Sequence, residues 1–450
     1  VQACRPGSPL SRGRAGIRGV VAIAFLCGAL VGGVAAVAAA ADEPADLAAL
    51  KAKFRRPATI PFPTSNPYSD AKRALGETLF HDQRLSADGT FACATCHVIG
   101  KGLSDGRVTA LGVPGRPLAR HTPTLWNLAW AGPVFWDGRA RSLEEQVAGP
   151  IIAPDEMAQP MAALIARLAK DKDYLRAFAK AFPKEPRVSE ENLKKAIATY
   201  ERTLVSPQTR FDRWVEGDGA ALTAREVDGF RLFAGKAGCQ SCHAGWSFTD
   251  HAFYDVGLAG EDRGRGAVLR LEQAEHAFKT PSLREAGRRA PYMHDGSIAT
   301  LADAVKHYAE GITDRPTLSP DLRKITLSRD EQVALVAFLG TLTSDGDPRP
   351  PSTIVTQDTK AVPAEHVTSI SQHDKQFTPT HAAIRRGERL WILNNDSRTH
   401  NVRVFDPKFD FDSGAQEPGE TVEIAFPKTG SYLVFCGIHP KMEITVDVVR

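Results

Sequence analysis

The pentapeptide Cys93-Ala-Thr-Cys96-His97 constrains this chain more than any other stretch. A C-x-x-C-H sequence is the attachment signature of a c-type haem, in which two thiolates form thioether bonds to the vinyl groups and the histidine binds the iron. The motif recurs as Cys239-Gln-Ser-Cys242-His243. A zinc site or a redox dithiol is the alternative interpretation of a C-x-x-C pair. The double occurrence predicts two covalently bound haem c groups.

The residues that flank the two motifs repeat as well. The matching segments are Leu79-Phe80 and Leu232-Phe233 before the motifs, then Thr122 to Leu125 and Thr280 to Leu283 after them. From each threonine an Asp-Gly pair lies 15 residues further on, at Asp137-Gly138 and Asp295-Gly296. Self-similarity at a fixed spacing indicates two related domains, one around each haem.

The charge of the chain gives no electrostatic reason to expect a nucleic-acid partner. Its formal net charge of +3 comes from residues 1–41, which hold four arginines and no acidic residue. Removing those four from the 56 basic residues leaves 52 against 53 acidic residues, a net charge of −1. A protein that binds nucleic acid would be expected to carry an excess of basic residues. The length of 450 residues is enough for two to four domains.

Residues 1–41 are typical of a secretory signal peptide. Arg12, Arg14 and Arg18 precede an uncharged run from Gly19 to Ala41 that ends in small residues. We expect cleavage near Ala41 and export to the periplasm. The alternative is an uncleaved anchor, because 23 uncharged residues could span a bilayer. Only in that case do we expect contact with a membrane.

The first three quarters of the chain carry helical patterns. These are predicted near Ala71 to Phe80, Met161 to Phe182 and Ser189 to Val205, and capping boxes at Thr223-x-x-Glu226 and Ser328-x-x-Glu331 open two more helices. Residues 42–67 are rich in proline and are expected to wrap the first haem domain. Since no strand alternation is found, we predict two all-α cytochrome c domains, the first haem domain over residues 42–210 and the second haem domain over residues 211–343.

The pattern changes after residue 343. Prolines with Asp, Ser and Thr make residues 344–363 a stiff, polar linker. Beyond it the apolar period becomes two, in Leu390 to Leu393, Val402 to Phe405, Thr421 to Ile424 and Ser431 to Phe435. Short alternating runs between turn residues predict an all-β sandwich over residues 364–450.

This predicted sandwich contains one cysteine that is not part of a haem attachment motif. Cys4 and Cys27 belong to the N-terminal segment and four more serve the haems, so that only Cys436 remains of seven. It stands in Cys436-Gly-Ile-His439-Pro-Lys-Met442, with His400 on an earlier strand. Two imidazoles, a thiolate and a thioether are the ligand set of a blue-copper centre, which predicts one type 1 copper. The alternative is a sandwich that has lost its metal.

Both parts of the chain resemble known families. Residues 363–450 resemble the cupredoxins of the plastocyanin and amicyanin kind, and Asn395-Asp396 and Thr399 to Val402 also match them. The stretch from Leu75 to Leu342 resembles the bacterial dihaem cytochrome c peroxidases. The matching segments are Leu79 to Asp82, Arg84 to Ser86, Cys93 to His97, Thr122 to Leu125, Phe135 to Arg139, Gly149 to Ile151, Glu156-Met157, Thr280 to Leu283 and Pro291 to Gly296.

The second resemblance implies roles for particular residues. The first haem would reduce hydrogen peroxide, and the second would pass electrons to it with Trp136 between them. Glu156 matches the glutamate above the open face of the first haem, where a carboxylate can act as acid and base; without the match it would be interpreted as a solvated loop residue. Phe135 and Gln146 would lie near the same pocket.

Three departures from the peroxidase pattern matter. Val113 stands where conventional peroxidases have a histidine that blocks the first iron. His121 and Arg289 stand in place of an asparagine and a threonine near an interdomain calcium, so the calcium is doubtful. Tyr308 aligns with the axial methionine of the second haem, as in MauG, which oxidises a partner protein at a distance. The alternative for Tyr308 and its neighbour His307 is ordinary residues of an amphipathic helix.

The sequence therefore predicts an exported dihaem peroxidase with a fused copper domain through which electrons enter. Its partners would be hydrogen peroxide and a periplasmic electron donor, either a small redox protein or a quinol-linked chain. One alternative is a MauG-like oxidase that uses peroxide to oxidise a protein or a small molecule. The other is a non-catalytic electron carrier with several redox centres. The sequence is compatible with a homodimer.

Overall fold

A computed structural model describes residues 45–450, with the exception of residues 114, 321, 323–324, 347, 349, 351–353, 358–363 and 408. The signal peptide predicted for residues 1–41 and about half of the predicted linker therefore lie outside the described residues. Residues 45–450 belong to one unit of tertiary contacts. In this described part, no helix has the length and the apolar character needed to cross a membrane.

Helices form the haem half of the chain. The α-helices are α1 Ala45–Ala52, α2 Asp70–Phe80, α3 Cys93–Cys96, α4 Leu143–Ile152, α5 Met161–Leu168, α6 Lys172–Ala181, α7 Glu190–Arg202, α8 Arg210–Val215, α9 Ala224–Ala234, α10 Arg265–Leu269, α11 Leu301–Lys306 and α12 Arg329–Gly340. The capping boxes predicted at Thr223 and Ser328 are confirmed. The single helix expected from Met161 to Phe182 is instead two, because Asp171 caps α6 with its side chain and starts a new helix there.

The two haem domains repeat one helix crossing. Helix α2 packs on α7 and α9 packs on α12, and each crossing occurs at a glycine. A Cβ at Gly76 would lie 2.0 Å from the carbonyl oxygen of Ala196, and one at Gly229 would lie 2.1 Å from that of Ala334. Both glycines stand four residues before the phenylalanine of the repeated Leu-Phe pair. The sequence repeat therefore corresponds to a repeated close approach of two backbones.

The segment before the first haem domain packs differently from the expectation. Leu47 and Phe54 lie in the core of the second haem domain, where the rings of Phe54 and Phe230 are 5.3 Å apart. Further along, the Asn66 amide donates to Glu144 in the first haem domain. The segment thus bridges both haem domains, because its apolar residues find their partners in the larger aromatic cluster of the second.

Short strand pairs that alternation did not predict accompany the helices. Ile60–Pro61 (β1) pairs with Thr356–Gln357 (β6), Leu111–Gly112 (β2) pairs with Arg116–Pro117 (β3), and Phe253–Tyr254 (β4) pairs with Phe278–Lys279 (β5). Strands of two residues are too short to show a period in the sequence.

The C-terminal part is the predicted all-β sandwich. Its strands are β7 Glu365–His366, β8 Ser369–His373, β9 Gln376–Thr378, β10 His381–Arg385, β11 Arg389–Asn394, β12 His400–Asp406, β13 Phe409–Gln416, β14 Thr421–Ala425, β15 Gly430–Cys436 and β16 Glu443–Val449. One sheet has the order β13-β12-β15-β16-β10-β7 and the other β14-β11-β8-β9. Alternate residues of these strands are buried between the sheets.

Candidate haem and copper sites

The first C-x-x-C-H motif presents its histidine in the form that a metal needs. His97 Nδ1–H donates to the carbonyl oxygen of Leu103 at 2.9 Å. Since a carbonyl can only accept, the hydrogen is on Nδ1 and Nε2 keeps its lone pair for iron. Leu103 has a left-handed backbone (φ 58°), which turns its carbonyl towards the ring. Burial lowers the pKa of His97 and so favours the neutral imidazole.

The second motif repeats this arrangement. His243 Nδ1–H donates to the carbonyl oxygen of Phe248 at 3.0 Å, and Phe248 also has a left-handed backbone (φ 53°). Burial again lowers the pKa of the histidine. None of the four motif cysteines is paired in a disulfide, so all four are available for thioether bonds. The chemistry of both donor sets therefore fits covalently bound haem c.

A cavity of about 740 Å³ adjoins the first motif. Its walls include Cys96, His97, Phe135, Gln146 and Glu156, so the structure brings the predicted pocket residues together.

The charge of Glu156 in this cavity depends on its surroundings. Burial raises the pKa of Glu156, and the charge of Arg139 opposes this shift. The Arg139 guanidinium also lies 3.5 Å from the ring centre of Phe135. Arg139 was not among the predicted site residues, although it is the last residue of a segment that matches the peroxidases.

Val113 stands where conventional peroxidases have a histidine that blocks the first iron, and it lies beside the loop of Glu156. The Val113 N–H donates to the carbonyl oxygen of Glu156 at 2.7 Å, and this backbone bond holds the two loops together. Gly112, next to Val113, has no room for a side chain, because a Cβ there would lie 1.7 Å from the carbonyl oxygen of Asp155. The loop therefore presents an aliphatic side chain, which cannot ligate iron, next to the loop of Glu156.

Trp136 lies at the junction of the two haem domains. Its indole N–H donates to the carbonyl oxygen of His121 at 2.8 Å, and the N–H of His121 donates to the carbonyl oxygen of His294 at 2.7 Å. Burial lowers the pKa of His121, which favours its neutral form. Arg289 is also buried, and although burial lowers its pKa to about 10, the guanidinium stays charged at neutral pH. Of the two residues that replace the calcium-site pair, Arg289 thus supplies the positive charge.

Tyr308 follows helix α11, which packs in the same apolar cluster as Cys239 of the second haem motif. Thr300 caps helix α11, and a π-helical turn, His307–Gly311, follows it. Burial raises the pKa of Tyr308, and the charges of Cys242 and Cys239 add to this shift. His307 points elsewhere, since its Nε2–H donates to the carbonyl oxygen of Val256 at 2.9 Å.

Met293 and His294, which precede the second Asp-Gly pair, are further side chains of the second haem domain that could ligate iron. Met293 has a left-handed backbone (φ 73°), as does Phe135 (φ 70°) at the equivalent place before the first Asp-Gly pair. The ring of His294 stacks on Phe278 with 3.5 Å between centroids, and burial lowers its pKa to about 4. His294 is therefore the structural counterpart of Trp136, not of Tyr308.

The copper site predicted in the sandwich is assembled. Cys436 Sγ lies 3.7 Å from His400 Nδ1 and 3.6 Å from His439 Nδ1, and these two nitrogens are 3.1 Å apart. Met442 is buried next to them, and its carbonyl oxygen accepts the N–H of Cys436 at 2.9 Å. Two imidazoles and one thiolate in a compact triangle with a nearby thioether form a type 1 copper site.

Hydrogen bonds around the site fix the orientation of its ligands. His400 Nε2–H donates to Asp396 Oδ2 at 3.2 Å, which leaves Nδ1 free for copper. Cys436 Sγ accepts the N–H of His439 at 3.4 Å, and Asn401 Oδ1 accepts the N–H of Gly437 at 3.2 Å. Sequence reasoning assigned no role to Asp396, although it lies four residues before His400 within a segment that matches the cupredoxins.

Comparisons with known proteins indicate one protein family. A family model described as di-haem cytochrome c peroxidase matches residues 70–220. The methylamine utilization protein MauG of Methylorubrum extorquens is 47% identical over 314 residues, which cover 69% of this chain and 89% of that protein. Cytochrome c551 peroxidase of Pseudomonas aeruginosa is 35% identical over 307 residues, covering 66% and 85%.

A solved structure supports the same assignment. The crystal structure of a MauG-like protein associated with microbial copper homeostasis superposes with a TM-score of 0.60 and 33% sequence identity. The match covers 65% of this chain and 94% of that protein. The solved protein is therefore similar to this chain over nearly its whole length.

Proposed function

This chain belongs to the dihaem cytochrome c peroxidase and MauG family, and from that premise we propose that it reduces hydrogen peroxide to water at its first haem with electrons from its own copper centre. The electrons would pass from copper to the second haem and, past Trp136, to the first. Each peroxide takes up two electrons and two protons and yields two molecules of water. The observation that carries the proposal is the position of Glu156 in the cavity beside His97.

Glu156 supplies the proton transfer that this reaction needs. When bound, the haem supplies the redox chemistry that breaks the O–O bond. The Glu156 carboxylate would take the proton from one peroxide oxygen and return it to the other, which leaves as water. Its raised pKa favours the return step, while the nearby charge of Arg139 keeps part of the group ionised for the first step.

The loop of Val113 supports access of peroxide to the first haem in the resting enzyme. The valine side chain at this position cannot bind iron, and the loop is fixed by its hydrogen bond to Glu156. We therefore propose that the oxidised enzyme reacts with peroxide without prior reduction, unlike conventional members of the family.

The copper site supports a role in electron supply. Its ligands are buried in the sandwich, with His400 and Cys436 0% exposed and His439 5% exposed. Buried ligands that are held by hydrogen bonds would keep a copper ion away from solvent, which suits electron transfer rather than substrate binding. We propose that a periplasmic donor, either a small redox protein or a quinol-linked chain, reduces the copper. Export itself stays a prediction, because residues 1–41 lie outside the described part.

A second candidate function is MauG-like oxidation of a protein or a small molecule. The observation that favours it is Tyr308, which lies in the turn directly after helix α11, because α11 packs in the same apolar cluster as Cys239. A phenolate is a hard anionic ligand that stabilises oxidised iron, in contrast to methionine. In this function, two one-electron oxidations of a substrate would replace the donor, and peroxide would again end as water.

Steady-state turnover of peroxide distinguishes the two functions. With a reduced small redox protein as donor, we expect the full-length enzyme to consume peroxide and the Cys436→Ser variant to lose most of this activity. The variant should keep its activity with a small-molecule reductant that reaches the haems directly. Equal donor-driven rates in both proteins would contradict the role of copper. Peroxide consumption that occurs only with an oxidisable substrate, and with no reduced donor, would favour the second function.

A further inference from the structure

The loop that carries the copper ligands packs against the segment that follows the second haem motif. The N–H of Phe253 donates to the carbonyl oxygen of Ile438 at 3.3 Å. The ring centroids of Tyr254 and His439 lie 6.3 Å apart, and both residues are only 5% exposed. The imidazole edge of the copper site is therefore covered by the second haem domain.

Tyr254 is connected to the haem attachment motif by two hydrogen bonds. Its hydroxyl donates to Asp250 Oδ2 at 2.6 Å, and the N–H of Asp250 donates to the carbonyl oxygen of Cys242 at 2.8 Å. Cys242 is one of the two residues that hold the second haem when it is bound. One side chain, that of Tyr254, thus spans the distance between a copper ligand and the hydrogen-bonded surroundings of that cysteine.

Lys375, which belongs to the copper domain, fixes this arrangement from the other side. Its ammonium group donates to the Tyr254 hydroxyl and lies 3.4 Å from Asp250 Oδ2. It also lies 3.3 Å from the carbonyl oxygen of Ser241, a residue that stands between the two motif cysteines in the sequence. Its backbone N–H donates at 2.9 Å to Asp396, the carboxylate that orients His400. A single residue therefore contacts both the surroundings of the haem motif and the copper site.

We propose that Tyr254 is the bridge through which electrons tunnel from copper to the second haem, and that Lys375 is its positioning residue; this rests on the proposed function, in which copper supplies the haems. In each transfer one electron leaves Cu(I), which becomes Cu(II), and the second haem takes it up. No bond breaks and no proton moves, because Tyr254 keeps its hydroxyl hydrogen and is not itself oxidised. Two transfers serve one peroxide, and the donor then returns the copper to Cu(I).

The structure also contains a competing route. Arg265 Nε–H donates to the carbonyl oxygen of Gly437 at 2.9 Å, and its Nη1 donates to the carbonyl oxygens of Asp137 and Gly138. This route would lead towards Trp136 and bypass the second haem. Both routes end at backbone carbonyls, but the route through Tyr254 ends at Cys242, which would hold the second haem, whereas Asp137 and Gly138 hold no haem. The route through Tyr254 is therefore favoured.

The test measures electron transfer within the full-length protein loaded with both haems and copper. The copper is reduced by a fast pulse of radiolytically generated reductant, and the transfer is followed in the visible bands of copper and haem. We expect Tyr254→Leu to slow the transfer about tenfold or more, and Tyr254→Phe and Lys375→Met to slow it several-fold. Tyr432→Phe, which removes a buried hydroxyl that bonds to Lys428 within the sandwich, is the matched control and should transfer at the wild-type rate.

Spectroscopy separates a lost bridge from a damaged site. The electron paramagnetic resonance spectrum of copper and the potentials of copper and second haem should be the same in Tyr254→Leu as in the wild type. A wild-type transfer rate in Tyr254→Leu with intact spectra would overturn the proposal. So would an equal loss of rate in Arg265→Lys, which would assign the transfer to the competing route.

Failure of the bridge differs from failure of the proposed function. If Cys436→Ser keeps full donor-driven peroxide turnover, copper does not supply the haems, whatever the transfer rate. If Cys436→Ser is inactive with the donor but Tyr254→Leu transfers normally, the function stands and the bridge is wrong.

Discussion

At the scale of single residues, Glu156 is the group on which proton transfer depends in the proposed reaction. Glu156→Gln keeps the size of the side chain but removes the acid–base function. We expect the reaction of the oxidised enzyme with peroxide to slow by roughly two orders of magnitude, the usual contribution of a positioned acid–base group. Stopped-flow measurement of the haem absorption bands gives this rate. Glu156→Asp is the control, because it keeps a carboxyl group and should therefore lose less.

The pH dependence of the same step follows from the raised pKa of Glu156. The group must be ionised to accept the first proton, and burial raises its pKa above the ordinary 4.5. The rate should therefore fall as the pH falls through this raised value, at a higher pH than for an exposed glutamate. Glu156→Gln should abolish this limb of the profile. A profile that is identical in wild type and variant would assign the proton transfer to another group.

Tyr308 is predicted to be the axial ligand that sets the potential of the second haem. Bound to iron, Tyr308 would be a hard phenolate; Tyr308→Met would replace it by a thioether, which favours reduced iron, so the potential of the second haem should rise. Potentiometric titration followed by near-infrared spectra measures both the shift and the ligand. The control is Tyr292→Phe, which removes a hydroxyl that donates to the carbonyl oxygen of Ala286 in the same domain. Identical potentials and spectra in Tyr308→Met and wild type would make Tyr308 a packing residue.

The ligand residues could be predicted from the sequence, but several groups that orient them could not. Cys93 and His97 lie within one pentapeptide, and the residues from Cys436 to Met442 within one loop, so that spacing alone groups them. The acceptors for the haem histidines are backbone carbonyls of Leu103 and Phe248, which any residue type could supply. Their position depends on a left-handed backbone, which the side chains do not encode.

At the scale of secondary-structure elements, the repeated crossing of two helices is the main support of each haem domain. A Cβ at Gly229 would lie 2.1 Å from the carbonyl oxygen of Ala334, so Gly229→Ala must separate α9 from α12. We expect a loss of about 1–3 kcal/mol in the free energy of unfolding, as for other overpacked sites. Gly76→Ala should act similarly on α2 and α7.

Gly340→Ala is the matched control for these two variants. Gly340 is the last residue of α12 and has open space around its Cα, and alanine is the better helix former. Its stability in chemical denaturation should equal or slightly exceed that of the wild type. If Gly229→Ala were as stable as Gly340→Ala, the helices would not be in the close contact that the structure describes.

Elements with a strong local signal were predictable, and those fixed by distant contacts were not. The capping boxes at Thr223 and Ser328 and the alternation of the sandwich strands depend on neighbouring residues, and the structure confirms them. The two-residue strand pairs have no local signal. Helix α1 packs in the second haem domain because Leu47 meets an aromatic cluster that is distant along the chain.

At the scale of the whole molecule, the copper domain lies at the junction of the two haem domains. Leu269, from helix α10 of the second haem domain, is buried in the core of the sandwich. Arg141, from the first haem domain, lies 3.3 Å from the ring centre of Phe405 on a sandwich strand. The sequence predicted a linker and a separate domain. A linker shows that two domains are connected but does not predict which of their surfaces are in contact. Their docking depends on surface complementarity, which no motif encodes.

Leu269 is predicted to be the apolar anchor that couples the copper domain to the haem domains. Its side chain packs against the copper ligand loop, since a Cβ at Gly437 would lie 3.1 Å from both of its methyl groups. Leu269→Ala removes buried contacts on both sides of the interface, and such truncations cost about 2–5 kcal/mol. Because the lost contacts reach the copper loop, the copper–thiolate band should disappear at a lower temperature than in the wild type.

The haem domains provide the internal reference for this measurement. Far-ultraviolet circular dichroism, which reports mainly on their helices, should change less with Leu269→Ala than the copper band does, so that the two transitions separate. Leu433→Ala is the matched control, because Leu433 is 48% exposed on a strand of the same sandwich and its truncation leaves no buried cavity. It should leave both transitions at their wild-type temperatures. A copper band that melts at the same temperature in Leu269→Ala and Leu433→Ala would show that the copper domain keeps its stability without this anchor.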